Sequence, residues 1–176
     1  GSDTVGTYAL GLNPTEPWKL AADRRDEGFR AFKLKIGFGA ERDLANLRAL
    51  RELLGPDTPL MVDANQAWGL DEARDMSRRI ADFRPAWLEE PLRADRPWDE
   101  WKALAAHAPM PLAAGENLRG EQFAQALDCG AFGVVQPDLG KWGGFSGCVP
   151  VGREVLAAGG SRPALESFKA FRGREP

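Results

Sequence analysis

The sequence predicts an α/β protein with a parallel sheet built from about six strand–helix units. Short apolar runs recur along the chain, segments with helical spacing lie between them, and the unit repeats roughly every 26 residues. Strands and helices that alternate at this interval are typical of a parallel sheet covered by helices. The predicted strands are 5–10, 32–37, 60–65, 86–91, 111–116 and 133–139, and the predicted helices are 15–28, 40–54, 70–82, 97–107, 119–129 and 144–158.

The segment 40–54 shows how the helices are predicted. Its leucines share one face of a helix, and charged residues cover the other face. These leucines are Leu44, Leu47, Leu50, Leu53 and Leu54. The pair Gly55-Pro56 ends the helix, because glycine favours a helix end and proline cannot continue one. The segment 70–82 has the same pattern, with acidic residues in its first turn.

Two architectures fit this repeat, a doubly wound open sheet and a β/α barrel of the TIM type. Neither the glycine-rich dinucleotide-binding fingerprint after the first predicted strand nor a P-loop is present. The even spacing of the units therefore favours a barrel or part of one, a partial TIM-like barrel of about six parallel β/α units. We expect residues 1–160 to form this incomplete barrel domain. Residues 161–176 are polar, contain several arginines and are expected to form a C-terminal tail of different character.

Composition and charge argue against several classes of protein. The chain has 176 residues, of which 43% are hydrophobic and 28% charged, and its net charge is −3. Nothing in these numbers favours a nucleic-acid partner or an anionic membrane surface. No apolar run approaches the roughly 20 residues of a membrane span, and the N-terminus lacks the features of a signal peptide. Cys129 and Cys148 have no metal-binding spacing, so we expect free thiols and a reducing, cytoplasmic location.

Charged and amide side chains recur near the carboxyl ends of five predicted strands. They are Lys33, Lys35, Asp63, Asn65, Glu89, Glu90, Glu116, Asn117, Asp138 and Lys141. One acid at one strand end is usually a helix cap or a loop charge, but a recurrence on five strands favours a common site. The carboxyl ends of barrel strands converge on one face, where active sites form. Because side chains alternate along a strand, Lys33 and Lys35 should share a face, whereas Glu89 and Glu90 should point to opposite faces.

The chemistry of these residues points to a metal ion and a base. Asp63, Glu89 and Glu116 come from three consecutive strands, and converging carboxylates repel one another unless a cation lies between them. A hard divalent ion with oxygen ligands and open positions for substrate suits Mg²⁺. A lysine close to a second cation has a lowered pKa and can act as a base near neutral pH. The metal would stabilise the enolate oxygen formed when that base removes a proton next to a carboxylate.

Five motifs occur in a characteristic order along the chain. They are K-x-K at 33–35, V-D-A-N at 62–65, E-E-P at 89–91, G-E-N at 115–117 and P-D-L-G-K-W-G-G at 137–144. Together they resemble the enolase superfamily, and within it the mandelate racemase/muconate-lactonizing group. The resemblance extends from about residue 5 to residue 158 and implies a β/α barrel that binds Mg²⁺.

The resemblance also implies roles for individual residues. It implies that Asp63, Glu89 and Glu116 are the Mg²⁺ ligands. Lys35 resembles the general acid/base on one face of the substrate. Lys33 resembles its partner, which lowers the pKa of Lys35 and contacts the substrate carboxylate.

Asp138 indicates the branch of the family. In racemase-like branches an aspartate at this position orients a histidine on the next strand, whereas lactonizing and dipeptide-epimerase branches have a lysine there. Asp138 therefore resembles the racemase or acid-sugar dehydratase type, and Asn65 and Lys141 are expected to contact substrate. The only histidine, His107, is predicted at a helix end, so the Asp–His pair is not completed within this chain.

The expected function is Mg²⁺-dependent abstraction of the proton alpha to a carboxylate, through an enolate, on an acid sugar or hydroxy acid. The alternative is a catalytically inactive truncated barrel that keeps the metal ligands, because the N-terminal α+β capping domain and the last strands of the family are missing. A weaker alternative is a phosphate-binding barrel without metal chemistry. Because an incomplete parallel sheet has exposed edges that usually pair, we also expect a homo-oligomer.

Overall fold

In the computed structural model, which describes residues 7–159, six parallel strands form one sheet in the order of the chain. The strands are β1 (Ala9–Leu12), β2 (Phe32–Lys35), β3 (Leu60–Asp63), β4 (Leu88–Glu89), β5 (Leu112–Ala114) and β6 (Phe132–Val135). The helices are α1 (Pro17–Asp26), α2 (Ala40–Leu54), α3 (Leu70–Ile80), α4 (Trp98–Ala105), α5 (Gln122–Cys129) and α6 (Gly144–Gly159), with a short 3-10 helix (Ala81–Phe83) after α3. The predicted α/β class is thereby confirmed, and the topology is that of a partial TIM-like barrel. The tail predicted at 161–176 lies outside the described residues, and the domain boundary at 160 stays a prediction.

The helices cover one face of the sheet with amphipathic surfaces. Helix α2 has the predicted bounds and buries Leu47 and Leu50 in the main core. It ends at Gly55, whose φ of 81° lies in the left-handed region that glycine adopts without strain. Among residues 7–159, no helix combines the length and the apolarity that crossing a bilayer requires.

Successive side chains of each strand point to opposite faces of the sheet. Leu34 and Val62 belong to the main core between the sheet and the helices. Met61, with the opposite phase in β3, packs instead in a small cluster with Trp87 and Ala113. Lys33 and Lys35 point to the same face of the sheet as Met61, away from the main core. This explains how two cations fit into an otherwise apolar strand.

The strand register brings charged residues into one row. In the parallel pairing, Lys35 lies opposite Asp63, and Asp63 lies opposite Glu89. The next residue in this row is Ala113 of β5. Because the row runs along the carboxyl ends of β2, β3 and β4, backbone pairing alone brings a lysine and two carboxylates together.

Strand β1 extends beyond the end that the apolar run predicts. The run was predicted to end at residue 10, whereas the strand continues to Leu12. Ala9 pairs with Phe32 and Leu12 with Leu34, so that β1 carries one extra residue and forms a bulge. Gly11 makes this possible with a φ of 73°, and Leu10 is left exposed while its neighbour Ala9 is buried.

Candidate active site

Two lysines and two carboxylates form a compact ion-pair network at the carboxyl ends of β2, β3 and β4. The Nζ atom of Lys33 lies 2.6 Å from Oε1 of Glu89 and 3.5 Å from Oδ2 of Asp63. The Nζ atom of Lys35 lies 2.6 Å from the same Asp63 oxygen and 3.1 Å from Oδ1 of Asn65. The structure thus brings together five of the residues predicted for the site.

Burial differs sharply within this network. Asp63 and Glu89 are each 2% exposed, and the side chain of Lys33 is 7% exposed. The side chain of Lys35, by contrast, is 27% exposed. Lys35 is therefore the cation of the network that a molecule arriving from solvent can reach.

Lys33 is held as a permanent cation. Its burial alone would lower the pKa of the ammonium, but the hydrogen bond to Glu89 and the nearby negative charges outweigh burial and raise that pKa above its ordinary value. The ring of Tyr8 adds to this environment, with its centroid 5.7 Å from the Lys33 Nζ atom. Tyr8 belongs to no motif that would identify it from sequence. Because it precedes the buried residue Ala9, its side chain points to the opposite face of the sheet.

Glu89 accepts hydrogen bonds from three different parts of the chain. Besides Lys33, its donors are Nε1 of Trp87 at 3.1 Å and Nε2 of Gln136 at 3.2 Å. Trp87 and Glu89 are two residues apart in the chain and therefore share a face. Gln136, which follows β6, was not predicted, because an isolated glutamine carries no pattern that identifies it from sequence.

The chain leaves β3 and β4 through residues with unusual backbone angles. Asn65, Gln66 and Glu90 have φ values of 47°, 63° and 41°, in the left-handed region that residues other than glycine seldom occupy. The amide of Asn65 donates to Oδ1 of Asp63 at 2.9 Å, which fixes that carboxylate. Backbone strain of this kind tends to cluster at functional sites, in keeping with the predicted role of this strand end.

Glu116 lies apart from the buried network. It follows Gly115, whose φ is 148° and where an added Cβ atom would lie 2.5 Å from the backbone nitrogen of Gln136. Only glycine fits this close approach, which directs the chain toward Glu116. Oε1 of Glu116 lies 2.9 Å from Nζ of Lys141, and both side chains are partly exposed.

Asp138 is engaged by its own turn. Its Oδ1 atom accepts hydrogen bonds from the amides of Gly140 at 2.7 Å and Lys141 at 3.1 Å. This arrangement shapes the loop after β6 and fixes the backbone of Lys141. The carboxylate of Asp138 is thus bound to backbone, and the catalytic role expected for it stays a prediction.

Glu90 is a buried acid to which the sequence analysis gave no role. It is 2% exposed, and the Nδ2 atom of Asn117 lies 2.8 Å from both of its carboxylate oxygens. Burial raises the pKa of Glu90 to about 7, and the surrounding carboxylates add to the effect against the opposing hydrogen bond from Asn117. The E-E-P motif showed that a second acid follows Glu89 at the end of this strand. Nothing in the sequence showed that the side chain of this second acid, Glu90, would be buried.

Replacing Glu90 with glutamine is expected to make the stability of the metal-free protein less dependent on pH. In the folded protein Glu90 keeps its proton up to about pH 7, whereas in the unfolded chain it has the ordinary glutamate pKa of 4.5. Between about pH 4.5 and pH 7 the folded state therefore binds more protons than the unfolded state. As the pH rises through this range, Glu90 lowers the free energy of unfolding of the wild type by up to about 3 kcal/mol.

Urea unfolding in EDTA at pH 4.5 and pH 8 measures this effect. Glu90→Gln should be similar to the wild type at pH 4.5 and more stable at pH 8. Glu72→Gln, at an exposed position of α3, is the control and should show no such difference. An equal stability difference at both pH values would contradict the prediction.

The predicted ligands have the chemistry that Mg²⁺ requires. Asp63, Glu89 and Glu116 supply only carboxylate oxygens, and the buried pair already shares a cation, the ammonium of Lys33. Among residues 7–159, no three acidic, histidine or cysteine side chains converge as a metal-binding group. The three carboxylates are suitable ligands for Mg²⁺. In this structure each of them forms an ion pair with a lysine.

Comparison with known proteins places this chain in a family. A family model described as enolase C-terminal domain-like matches residues 18–160. The chain therefore belongs to the enolase superfamily, and its relatives are of the mandelate racemase/muconate-lactonizing kind. The resemblance inferred from the five motifs is thereby confirmed.

Three similar proteins show what this family contains. The chain is 45% identical over 126 residues to D-galactarolactone cycloisomerase of Agrobacterium fabrum, covering 71% of this chain and 33% of the relative. A mandelate racemase/muconate lactonizing enzyme from Bordetella bronchiseptica superposes with a TM-score of 0.85 at 56% identity, over 88% of this chain and 43% of that one. L-Talarate dehydratase from Polaromonas, crystallised with Mg and L-glucarate, superposes with a TM-score of 0.81 at 30% identity, over 90% of this chain and 46% of that one. The chain thus spans about a third of the length of curated relatives such as the Agrobacterium cycloisomerase.

Proposed function

We propose that this protein catalyses Mg²⁺-dependent abstraction of the proton alpha to a carboxylate, in a racemase, epimerase or acid-sugar dehydratase reaction. The observation that carries the proposal is the buried network of Lys33, Lys35, Asp63 and Glu89 in one region of the sheet. The cycloisomerase and dehydratase among the relatives support the same type of reaction and point to small acid sugars as substrates.

The proposed metal ligands are Asp63, Glu89 and Glu116. A bound Mg²⁺ ion would offset the negative charge that develops on the substrate carboxylate as the proton leaves. The Polaromonas dehydratase, which was crystallised with Mg, supports Mg²⁺ as the ion. Trp87 and Gln136 hold one oxygen of Glu89, so the orientation of that carboxylate is set before any ligand arrives.

Lys35 is the proposed base. Its Nζ atom is the more accessible of the two buried-site ammonium groups, and Asp63 and Asn65 hold it in place. Oδ2 of Asp63 lies close to both lysines, so the Nζ atom of Lys35 has a defined position from which it would take up the alpha proton. Lys33 lies beside Asp63 and Glu89, so we assign it the predicted role of partner to Lys35.

The remaining predicted residues border this region. Asn65 contacts Lys35, and Lys141 contacts Glu116, so both lie where a polar substrate can reach them. We assign them to substrate binding, and Asp138 to the opposite side of the substrate. The expected homo-oligomer stays a prediction.

Exchange of the alpha proton with D₂O tests the proposal directly. A panel of acid sugars and hydroxy acids is incubated with the full chain in Mg²⁺ and, separately, in EDTA, and deuterium incorporation is followed by NMR. Incorporation into at least one compound, in Mg²⁺ only, is the expected result. Silence across the panel together with tight Mg²⁺ binding would favour the alternative, a metal-binding barrel without turnover.

A further inference from the structure

Each of the three proposed metal ligands is paired with a different lysine. Asp63 is paired with Lys35, and Glu89 with Lys33, each at 2.6 Å. Glu116 is paired with the third lysine, Lys141, at 2.9 Å. The site therefore holds its own cations, and each ammonium opposes the approach of a metal ion to the carboxylate that it contacts.

The third pair differs from the other two in its exposure. The side chains of Lys141 and Glu116 are 43% and 32% exposed, whereas Asp63 and Glu89 are almost completely buried. Separating a buried ion pair leaves each charge without its partner and without hydration by water, which costs free energy. Separating the exposed pair costs little, because both groups are hydrated as they part.

The turn after β6 aims Lys141 at Glu116. Asp138 accepts hydrogen bonds from the amides of Gly140 and Lys141, which fixes the start of that side chain. The Nζ atom of Lys141 also lies 3.4 Å from Oδ1 of Asn117, next to Glu116 in the chain. Lys141 donates a hydrogen bond to Oε1 of Glu116, and a lysine that is open to solvent carries a positive charge at neutral pH.

We propose that Lys141 is a resident counter-cation that competes with the metal ion for Glu116, so that the ion binds this ligand more weakly while the ammonium of Lys141 is paired with it. The inference rests on the proposed function, because it takes Glu116 as a metal ligand. It assigns Lys141 a role in metal affinity that is separate from its predicted contact with substrate. It also makes Glu116 the ligand whose pairing is easiest to exchange.

The test is the Mg²⁺ affinity of the full chain, measured by isothermal titration calorimetry. Lys141→Met should bind Mg²⁺ about three- to tenfold more tightly than the wild type, since a competing charge of modest strength is removed. Lys141→Arg keeps the charge and should bind like the wild type. The gain in Lys141→Met should shrink at high salt, because the exposed pair that it removes is screened.

A charge control separates competition from general electrostatics. Arg119→Met removes a positive charge three residues from Glu116, at an exposed position, and in the described part of the chain Arg119 forms no ion pair with Glu116. This variant should bind Mg²⁺ like the wild type. An equal gain in Arg119→Met and Lys141→Met would overturn the competition, as would an unchanged or weaker affinity in Lys141→Met.

The same titrations distinguish failure of this inference from failure of the proposed function. If Glu116→Gln weakens Mg²⁺ binding while Lys141→Met does not tighten it, the metal site stands and only the inference is overturned. If both Glu116→Gln and Asp63→Asn leave the affinity unchanged, the proposed metal site itself is overturned, and the inference with it. Thermal unfolding of each variant in EDTA shows that its fold is intact.

Discussion

Replacing Lys35 with methionine is expected to lower alpha-proton exchange by roughly a thousandfold, since a positioned base contributes about 10²- to 10⁴-fold to such a step. Methionine keeps much of the length of the side chain but cannot take up a proton. Asp63 would still have the ammonium of Lys33 at 3.5 Å, so the buried carboxylate keeps a cation and the fold should persist. The loss is therefore one of chemistry rather than of structure.

The measurement is deuterium incorporation by NMR into whichever panel compound the wild type exchanges. Lys102→Met, at an exposed lysine of α4 paired with Asp99, is the matched control and should retain full exchange. Calorimetry should show that Lys35→Met still binds Mg²⁺. Exchange above a tenth of the wild-type rate in Lys35→Met would rule out Lys35 as the base.

Asp63→Asn is expected to weaken Mg²⁺ binding by about 100-fold or more, because one of the three proposed charged oxygen ligands is lost. It also removes the carboxylate that contacts both Lys33 and Lys35. Lys33 would then keep Glu89 as its partner, whereas Lys35 would lose its ion pair. A loss of stability of about 3 kcal/mol in EDTA should follow, as is typical when one partner of a buried ion pair is removed.

Calorimetry measures the first effect and urea unfolding the second. Asp57→Asn carries the same chemical change at a side chain that is 94% exposed, so it should alter neither quantity. An unchanged Mg²⁺ affinity in a folded Asp63→Asn variant would show that this carboxylate is not a ligand. An unchanged stability in EDTA would show that its two ion pairs contribute little.

Much of the fold follows from the pattern of the sequence. The apolar runs and leucine-rich segments predicted six strand–helix units, because burial on one face imposes a period that can be recognised in the chain. The phase of Lys33 and Lys35 predicted that they share a face, and the register of β2 with β3 places Lys35 opposite Asp63. These features are local, or follow from the alternation of side chains.

Features that depend on contacts between distant segments could not be predicted. The bulge at Gly11 in β1 arises from pairing with β2, and the sequence before it gives no sign of where pairing begins. The burial of Glu90 and its partner Asn117 likewise depends on the loops after two strands. Asp138 is a different case, because its hydrogen bonds to its own turn are local. They engage the same carboxylate to which only the family motif assigned a catalytic role.

The pairing of every proposed ligand with a lysine has a consequence for how the protein matures. A site of bare carboxylates would oppose folding until an ion arrived, so that the chain would fold only around its metal, as small zinc domains do. Here three ammonium groups balance three carboxylates, and the charges are already neutralised when the strands align. If these carboxylates are the metal ligands, we expect folding not to require the ion: the polypeptide would reach its native architecture in a magnesium-poor environment and bind Mg²⁺ afterwards.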